Sequence, residues 1–204
     1  MGGCPGRTPA PGYTVAGQRP RRTVNETADV AEVASGWLEP HALEDARARL
    51  PVVYVDAVPV RVDPLGQVTE VGLLLRARPD GSISRAIVSG RVLYAERVRT
   101  ALLRHLEKDL GPMALPRLPP APQPFTVVEY FPDPSVTGFH DPRQHAVSLA
   151  FVVPVDGDCA PSHDALDLSW LSPEEAVSPQ VQLEMAGGHD KVLRLAMAHV
   201  GRLP

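Results

Sequence analysis

Hydrophobic residues occur along the chain in dense runs and alternations that predict a mixed β-sheet. The valine-rich segment 52–62 (VVYVDAVPVRV) is typical of a strand buried on both faces or nearly so. Segment 68–76 (VTEVGLLLR) is a second strand, and the turn formers Asp63-Pro64-Leu65-Gly66 between the two predict a hairpin. Further strands are predicted at 83–88, 125–131, 144–155 and 167–171.

Apolar residues three to four positions apart predict helices between and after these strands. One helix spans about 94–110, another about 40–50, and a final one begins near Gly188. Ser172-Pro173-Glu174-Glu175 combines an N-cap serine, a proline at the first helical position and acids in the first turn, which is typical of a helix start. We therefore predict an α+β fold in which helices and a mixed sheet form an α/β/α sandwich.

The composition is that of one ordinary domain with appendages. Of the 204 residues, 44% are hydrophobic, and the formal charge of −4 argues against non-specific binding of nucleic acid. No run reaches the roughly 18 apolar residues that span a bilayer, and the first residues lack the apolar region of a signal peptide. Two cysteines favour a reducing cytoplasm. We predict a disordered tail over 1–27 and a single domain over 28–204, with its core at about 50–177.

The stretch from Gly90 to Gly111 carries polar residues on the same face as its apolar stripe. Five residues separate Gly90 from Glu96, and seven more separate Glu96 from Arg104, which is followed by the aliphatic Leu106 and by Gly111. This order resembles the Nudix box, G-x5-E-x7-R-E-U-x-E-E-x-G-U with U aliphatic. The chain therefore resembles a Nudix hydrolase.

The resemblance covers roughly residues 50–200 and implies a Nudix-like sandwich. It also implies a divalent-metal-dependent hydrolase of a nucleoside diphosphate-linked or other pyrophosphate compound, with Mg²⁺ or Mn²⁺ as cofactor. The expected partner is a small-molecule nucleotide or pyrophosphate substrate, without nucleic acid or membrane. A homodimer is common among the proteins that the chain resembles.

Three positions of the box determine the expected chemistry. Asp109 is a conservative match to the last acid, whereas His105 and Lys108 stand where two glutamates belong. Mg²⁺ prefers carboxylate and water oxygens, and at about 100° per residue His105 and Asp109 face the same way, with Lys108 beside them. We predict a metal site of Asp109, His105 and Glu96, while Lys108 would either repel the ion or contact a phosphate.

The catalytic residues implied by the resemblance are Glu96, Arg104 and Asp109. Arg104 would orient the acids, and Glu96 would either reach the metal or serve to orient Arg104. Gly90 would allow the close turn of the loop over which the scissile phosphates sit.

Candidates for substrate binding lie both inside and outside the box. Arg61 would bind a phosphate if it faces the cleft, Glu129 would supply an additional acid, and the long loop at 132–143 should carry specificity. Each has a solvated surface position as its alternative, and His189-Asp190 and His163-Asp164 are interpreted as surface. The predicted set comprises Gly90, Lys108, Arg61, Glu129, His140, Arg143 and His145.

The sequence leaves two functions open. The first is the metal-dependent pyrophosphohydrolase, and the second is a catalytically impaired Nudix-fold module that binds a nucleotide or a partner without cleaving it. The replacements at His105 and Lys108 favour the second function. Activity depends on what these two side chains do in place of carboxylates.

Overall fold

The computed structural model of the protein describes residues 1–2, 37–78, 80–136, 139–161 and 165–203. The chain divides into two units, residues 1–34 and residues 35–204. Apart from its first two residues, the first unit lies outside the described residues, and so do the predicted tail and His163-Asp164. Those predictions therefore stay predictions. The helices and strands named below all belong to the second unit.

The second unit contains seven strands and five helices among its described residues. The strands are β1 (Val52–Val62), β2 (Val68–Ala77), β3 (Ile83–Ala86), β4 (Val88–Arg91), β5 (Thr126–Tyr130), β6 (Ala146–Pro154) and β7 (Asp167–Leu171). The helices are α1 (Pro40–Arg49), α2 (Val98–Leu110), α3 (Pro173–Ala176), α4 (Pro179–Glu184) and α5 (His189–His199). The bounds of β1 and β7 agree with those predicted from the sequence. The N-cap predicted at Ser172 forms, with Ser172 Oγ accepting from the backbone N–H of Glu175, and the structure shows that it is part of a capping box.

The segment before α2 differs from its prediction. A single strand was expected to end at 88 before a turn at Gly90, but a second strand, β4, continues through Gly90 to Arg91 because it pairs with β1. The helix then begins at Val98 rather than near 94, after a turn in which Ala95 has a φ of 59°. Pairing with β1 is a tertiary contact that extends the strand, and the local sequence gives no signal for that pairing.

The sheet forks along one edge of β1. β6 runs parallel to β1 along the other edge, from Val52 to Val60. On the forked edge, β4 pairs antiparallel with Tyr54–Ala57, whereas β2 pairs with Val60–Val62. β1 therefore changes neighbours halfway along its length.

Two apolar clusters lie on opposite faces of β1, because successive strand residues point to opposite sides. Val55 and Ala57 pack in one cluster with Leu102 and Leu106 of α2. Val58 and Val60 pack in the other cluster, which also contains the apolar residues of α5. Helices thus cover both faces of the mixed sheet, which confirms the predicted α/β/α sandwich. Within the described ranges, no helix combines the length and apolar character needed to cross a membrane.

Candidate functional site

A cleft of about 530 Å³ opens beside the forked edge of β1. Side chains from β1, β2, β3, β4 and α2 line it, together with the loop at 140–144 and the start of α5. Its size lies within the range of roughly 300–1,000 Å³ that is usual for small-molecule sites. The cleft therefore brings Gly90, His105, Lys108, His140 and Arg143, all predicted from the sequence, to one place.

Gly90 makes room for the imidazole ring of His105. A Cβ atom at Gly90 would overlap the His105 ring, so a glycine is required by close approach. His105 is buried, at 8% exposure, and its Nε2 lies 3.0 Å from the backbone oxygen of Arg91. A carbonyl oxygen can only accept, so Nε2 carries the hydrogen. Burial lowers the pKa of His105, which favours the neutral ring.

Glu96 and Arg104 form a bidentate ion pair that shapes the loop before α2. Arg104 Nε and Nη2 donate to the two Glu96 oxygens at 2.8 and 2.7 Å, and Nη2 also donates to the backbone oxygen of Arg91 at 2.9 Å. Glu96 Oε2 accepts from the backbone N–H of Leu93 at 2.9 Å. The hydrogen bond from Arg104 is the main reason that the pKa of Glu96 is low. Of the two roles expected for Glu96, the structure shows the contact with Arg104.

Asp109 is buried behind the cleft and is held by an arginine from β2. Its side chain is 2% exposed, and its Oδ2 accepts from Arg76 Nη2 at 2.9 Å. Arg76 itself lines the cleft, as does the exposed Lys108 one residue before Asp109. The acid that matches the Nudix box is therefore screened from the cleft by a cation.

The described side chains do not fit a resident divalent ion. The carboxylates of Asp109 and Glu96 each accept hydrogen bonds from an arginine, and His105 Nε2 donates to a backbone carbonyl. Across the described ranges, no group of three or more His, Cys, Asp or Glu side chains is arranged to hold a metal ion. The structure does not bring together the three ligands that the sequence suggested.

Basic side chains dominate the charge of the cleft. Among the described lining residues, four cations stand against two carboxylates: Arg76, Arg91, Lys108 and Arg143 against Asp56 and Asp141. A concave surface lined mainly by one sign of charge concentrates ligands of the opposite sign. The lining is therefore suited to an anionic ligand.

Arg143 is held in place by a chain of hydrogen bonds that begins in α1. Its Nε and Nη2 donate to the two Asp141 oxygens at 2.8 and 2.9 Å. Gln144 Nε2 also donates to Asp141 at 2.9 Å, and Gln144 Oε1 accepts from Arg47 Nε at 2.8 Å. Burial would raise the pKa of Asp141, but these hydrogen bonds outweigh it and lower the pKa. His140, nearby in the same loop, donates from Nδ1 to the backbone oxygen of Phe131 at 3.0 Å.

Three predicted substrate-binding residues are not among the residues that line the cleft. Arg61 donates at 2.6 Å to the backbone oxygens of Val155 and of Gly157 and lies over the ring of Trp170. Residues five apart on a strand point to opposite faces, so Arg61 could not share the cleft with Asp56. Glu129 is exposed, and His145 stacks on Phe131 with ring centroids 4.4 Å apart.

Two features of the cleft were not predicted from the sequence. Asp56 is 1% exposed and its Oδ2 accepts from the Tyr130 hydroxyl at 3.1 Å. His189, interpreted as a surface residue, instead lines the cleft at the start of α5. Burial lowers the pKa of His189, the nearby Asp56 opposes this, and Arg76 adds to it. The position of His189 depends on how α5 docks on the sheet, for which the sequence contains no local signal.

Distant solved structures identify the class of fold. The Nudix domain of Shewanella oneidensis NrtR, solved with ADP ribose, has 17% sequence identity and a TM-score of 0.54, with 83% of this chain and 97% of that chain covered. A Caenorhabditis elegans Ap4A hydrolase complex has 15% identity and a TM-score of 0.53, with 74% and 99% covered. At these identities the likeness concerns the fold, which is the Nudix fold.

Closer comparisons give the family. The family described as a domain of unknown function (DUF4916) matches residues 33–202. A crystal structure from Jonesia denitrificans DSM 20603, described as a possible asymmetric diadenosine tetraphosphate (Ap4A) hydrolase, has 64% identity and a TM-score of 0.75, with 76% of this chain and 98% of that chain covered. No protein of curated function matches the chain. The chain belongs to the DUF4916 family and has the Nudix fold.

Proposed function

We propose that the protein binds the phosphates of a nucleoside diphosphate-linked compound in the cleft and hydrolyses its pyrophosphate bond. The observation that carries this proposal is the lining of the cleft, in which four basic side chains stand beside Gly90 against two carboxylates. A pyrophosphate carries several negative charges, and arginine and lysine are the side chains that bind phosphate oxygens. Neutralisation of that charge also assists attack on phosphorus.

The substrate class is inferred from the relatives together with the size of the cleft. The 64% identical protein is described as a possible Ap4A hydrolase, and more distant members of the fold were solved with ADP ribose or as an Ap4A hydrolase complex. A cleft of about 530 Å³ is large enough to bury the diphosphate and one nucleoside. Dinucleoside polyphosphates, ADP-ribose and nucleotide sugars are therefore the compounds to test.

Nudix hydrolases generally use divalent ions, and a requirement for Mg²⁺ or Mn²⁺ stays a prediction for this chain. Because Asp109, His105 and Glu96 are engaged with other groups, the proposal places no resident ion on them. The expected homodimer and cytoplasmic location also stay predictions, which sedimentation and cell fractionation would check.

The proposal is tested by product analysis on that panel of compounds. We expect purified full-length protein to release nucleoside monophosphate from at least one of them, measured by chromatography with Mg²⁺, with Mn²⁺ and with EDTA. Lys108→Met should lower the rate, because it removes a cation from the cleft, whereas Lys191→Met, outside the cleft, should not. No product from any compound would overturn the hydrolytic part of the proposal.

A second candidate function is nucleotide binding without cleavage. The observation in its favour is that both box acids, Glu96 and Asp109, are occupied by arginines. Calorimetry together with product analysis separates the two functions, because a binding module would bind the same compounds and leave them intact.

A further inference from the structure

The Arg76–Asp109 pair joins β2 to α2, at the position where the Nudix box has its last acid. Asp109 is 1% exposed, and its Oδ2 accepts a hydrogen bond from Arg76 Nη2 at 2.9 Å. The Arg76 side chain is 27% exposed and reaches the cleft. The carboxylate is thus neutralised by a cation that also faces the ligand space.

Arg76 has hydrogen-bonding capacity beyond Asp109. Its Nε is buried and has no hydrogen-bond partner among the described residues. A guanidinium offers five N–H donors in a fixed fork, so one edge can hold a carboxylate while other donors serve a second anion. A guanidinium anchored in this way is oriented before the ligand arrives, which lowers the entropy lost on binding.

The neighbouring positions of the box, Lys108 and His105, also disfavour a metal ion at Asp109. Lys108 brings a second positive charge to the cleft from α2. His105 presents no carboxylate, and its Nε2 hydrogen is used by the backbone oxygen of Arg91. A divalent cation placed on Asp109 would stand beside the Arg76 guanidinium and close to Lys108, and both would repel it.

We propose that Arg76, seated on Asp109, takes the place of a resident metal ion, and that Arg76 and Lys108 bind the ligand phosphates directly without a metal. The identity of the ligand rests on the proposed function, but the exchange of a metal for an arginine does not. In a metal-dependent site the acids hold a cation, and the cation holds the phosphates. Here the cation on Asp109 is the guanidinium of Arg76, which is part of the protein chain and which a chelator therefore cannot remove.

The first arm of the test is a calorimetric titration of the full chain with Mn²⁺ alone. The wild-type protein should show no binding at up to millimolar Mn²⁺. Arg76→Gln removes the positive charge yet keeps an amide that can donate to Asp109, so this variant should gain measurable Mn²⁺ binding. Arg91→Gln is the matched control, because it removes a cation from the cleft without releasing a carboxylate from an ion pair, and it should gain none. Tight Mn²⁺ binding by the wild type would overturn the inference.

The second arm measures binding of ADP-ribose to the wild-type protein with EDTA and with Mg²⁺. We expect dissociation constants that agree within about twofold, and Lys108→Met should weaken binding about tenfold or more in both buffers. Lys108→Arg, which keeps the charge, should restore most of the affinity. Loss of binding in EDTA would overturn the inference.

The two proposals can fail separately. If the wild type binds neither ADP-ribose nor the other compounds, the proposed ligand class fails, while the Mn²⁺ titration still decides the exchange of a metal for an arginine. If Arg76→Gln does not fold, as judged by circular dichroism, the wild-type Mn²⁺ titration and the chelator comparison decide it.

Discussion

Gly90 and His105 are in such close contact that no side chain fits between them: a Cβ atom at Gly90 would overlap the imidazole ring. Gly90 belongs to β4 and His105 to α2, so this contact sets how closely the helix approaches the strand. The glycine that begins the box is therefore required by the packing of α2 against β4.

Replacement of Gly90 by alanine should destabilise the protein because the His105 ring must move. We expect the free energy of unfolding to fall by about 1–3 kcal/mol, the usual cost of overpacking. In a His105→Ala background the same replacement should cost much less, since the space is then available. Urea unfolding of the four proteins in this cycle gives the coupling energy, and equal costs in both backgrounds would refute the contact.

The contribution of the Glu96–Arg104 pair to the unfolding free energy should depend on the forked shape of the guanidinium. Arg104→Lys keeps the charge but cannot make both bonds to Glu96 together with the bond to the Arg91 oxygen. The expected loss is about 1.5–3 kcal/mol of unfolding free energy. Arg117→Lys is a suitable control, because its partner Asp156 is exposed and the pair should contribute less than about 1 kcal/mol. Similar losses in the two variants would contradict the argument.

Stability should fall as the pH drops below neutrality. Burial lowers the pKa of both His105 and His189, so in the unfolded chain each of them binds a proton at a higher pH than in the folded protein. Their contribution is fully present above the unfolded pKa of about 6.5 and is lost as the pH falls below it, by up to about 1.4 kcal/mol per pH unit for each histidine.

Thermal unfolding between pH 7.5 and 5.5 checks this expectation. The His105→Gln/His189→Gln double variant should have a flatter profile, because neither glutamine titrates. His41→Gln, which changes an exposed residue of α1, is the control and should keep the wild-type slope. An unchanged slope in the double variant would show that other groups cause the dependence.

The Tyr130 hydroxyl should stabilise the buried Asp56 carboxylate. Burial, together with the charge of Asp56, raises the pKa of Tyr130, so the phenol keeps its proton and donates. Tyr130→Phe should cost about 1–3 kcal/mol, because it leaves a buried acceptor without its donor. The cost should be smaller in an Asp56→Asn background, where the acceptor is uncharged. Chemical denaturation of the four proteins measures both costs, and a larger cost in the Asn background would contradict the account.

Local patterns were sufficient to predict much of the fold. The valine-rich β1 was predicted with its observed bounds, since a strand buried on both faces leaves a continuous apolar run. The start of α3 was predictable because the N-cap Ser172, Pro173 and the two acids after it are adjacent in the sequence. The split of residues 83–91 into β3 and β4 was not visible, because it results from pairing with two different strands.

The candidate site was only partly predictable, because its central contact joins distant positions. Arg76 and Asp109 are 33 residues apart, and no local signal connects a strand arginine with a helix acid. The alternation of β1 did contain one unused signal: Asp56 and Arg61 lie five residues apart and therefore face opposite sides. Of these two residues, only Asp56 lines the cleft.

The central claim is that nucleotide phosphates bind to the cationic lining of the cleft, and a crystal structure with a non-hydrolysable ADP-ribose analogue tests it most directly. The account predicts phosphate oxygens within hydrogen-bond distance of Arg76 and Lys108, with the Arg76–Asp109 pair intact. Phosphates bound outside the cleft, or held by a metal ion coordinated to Asp109 and Glu96, would contradict it.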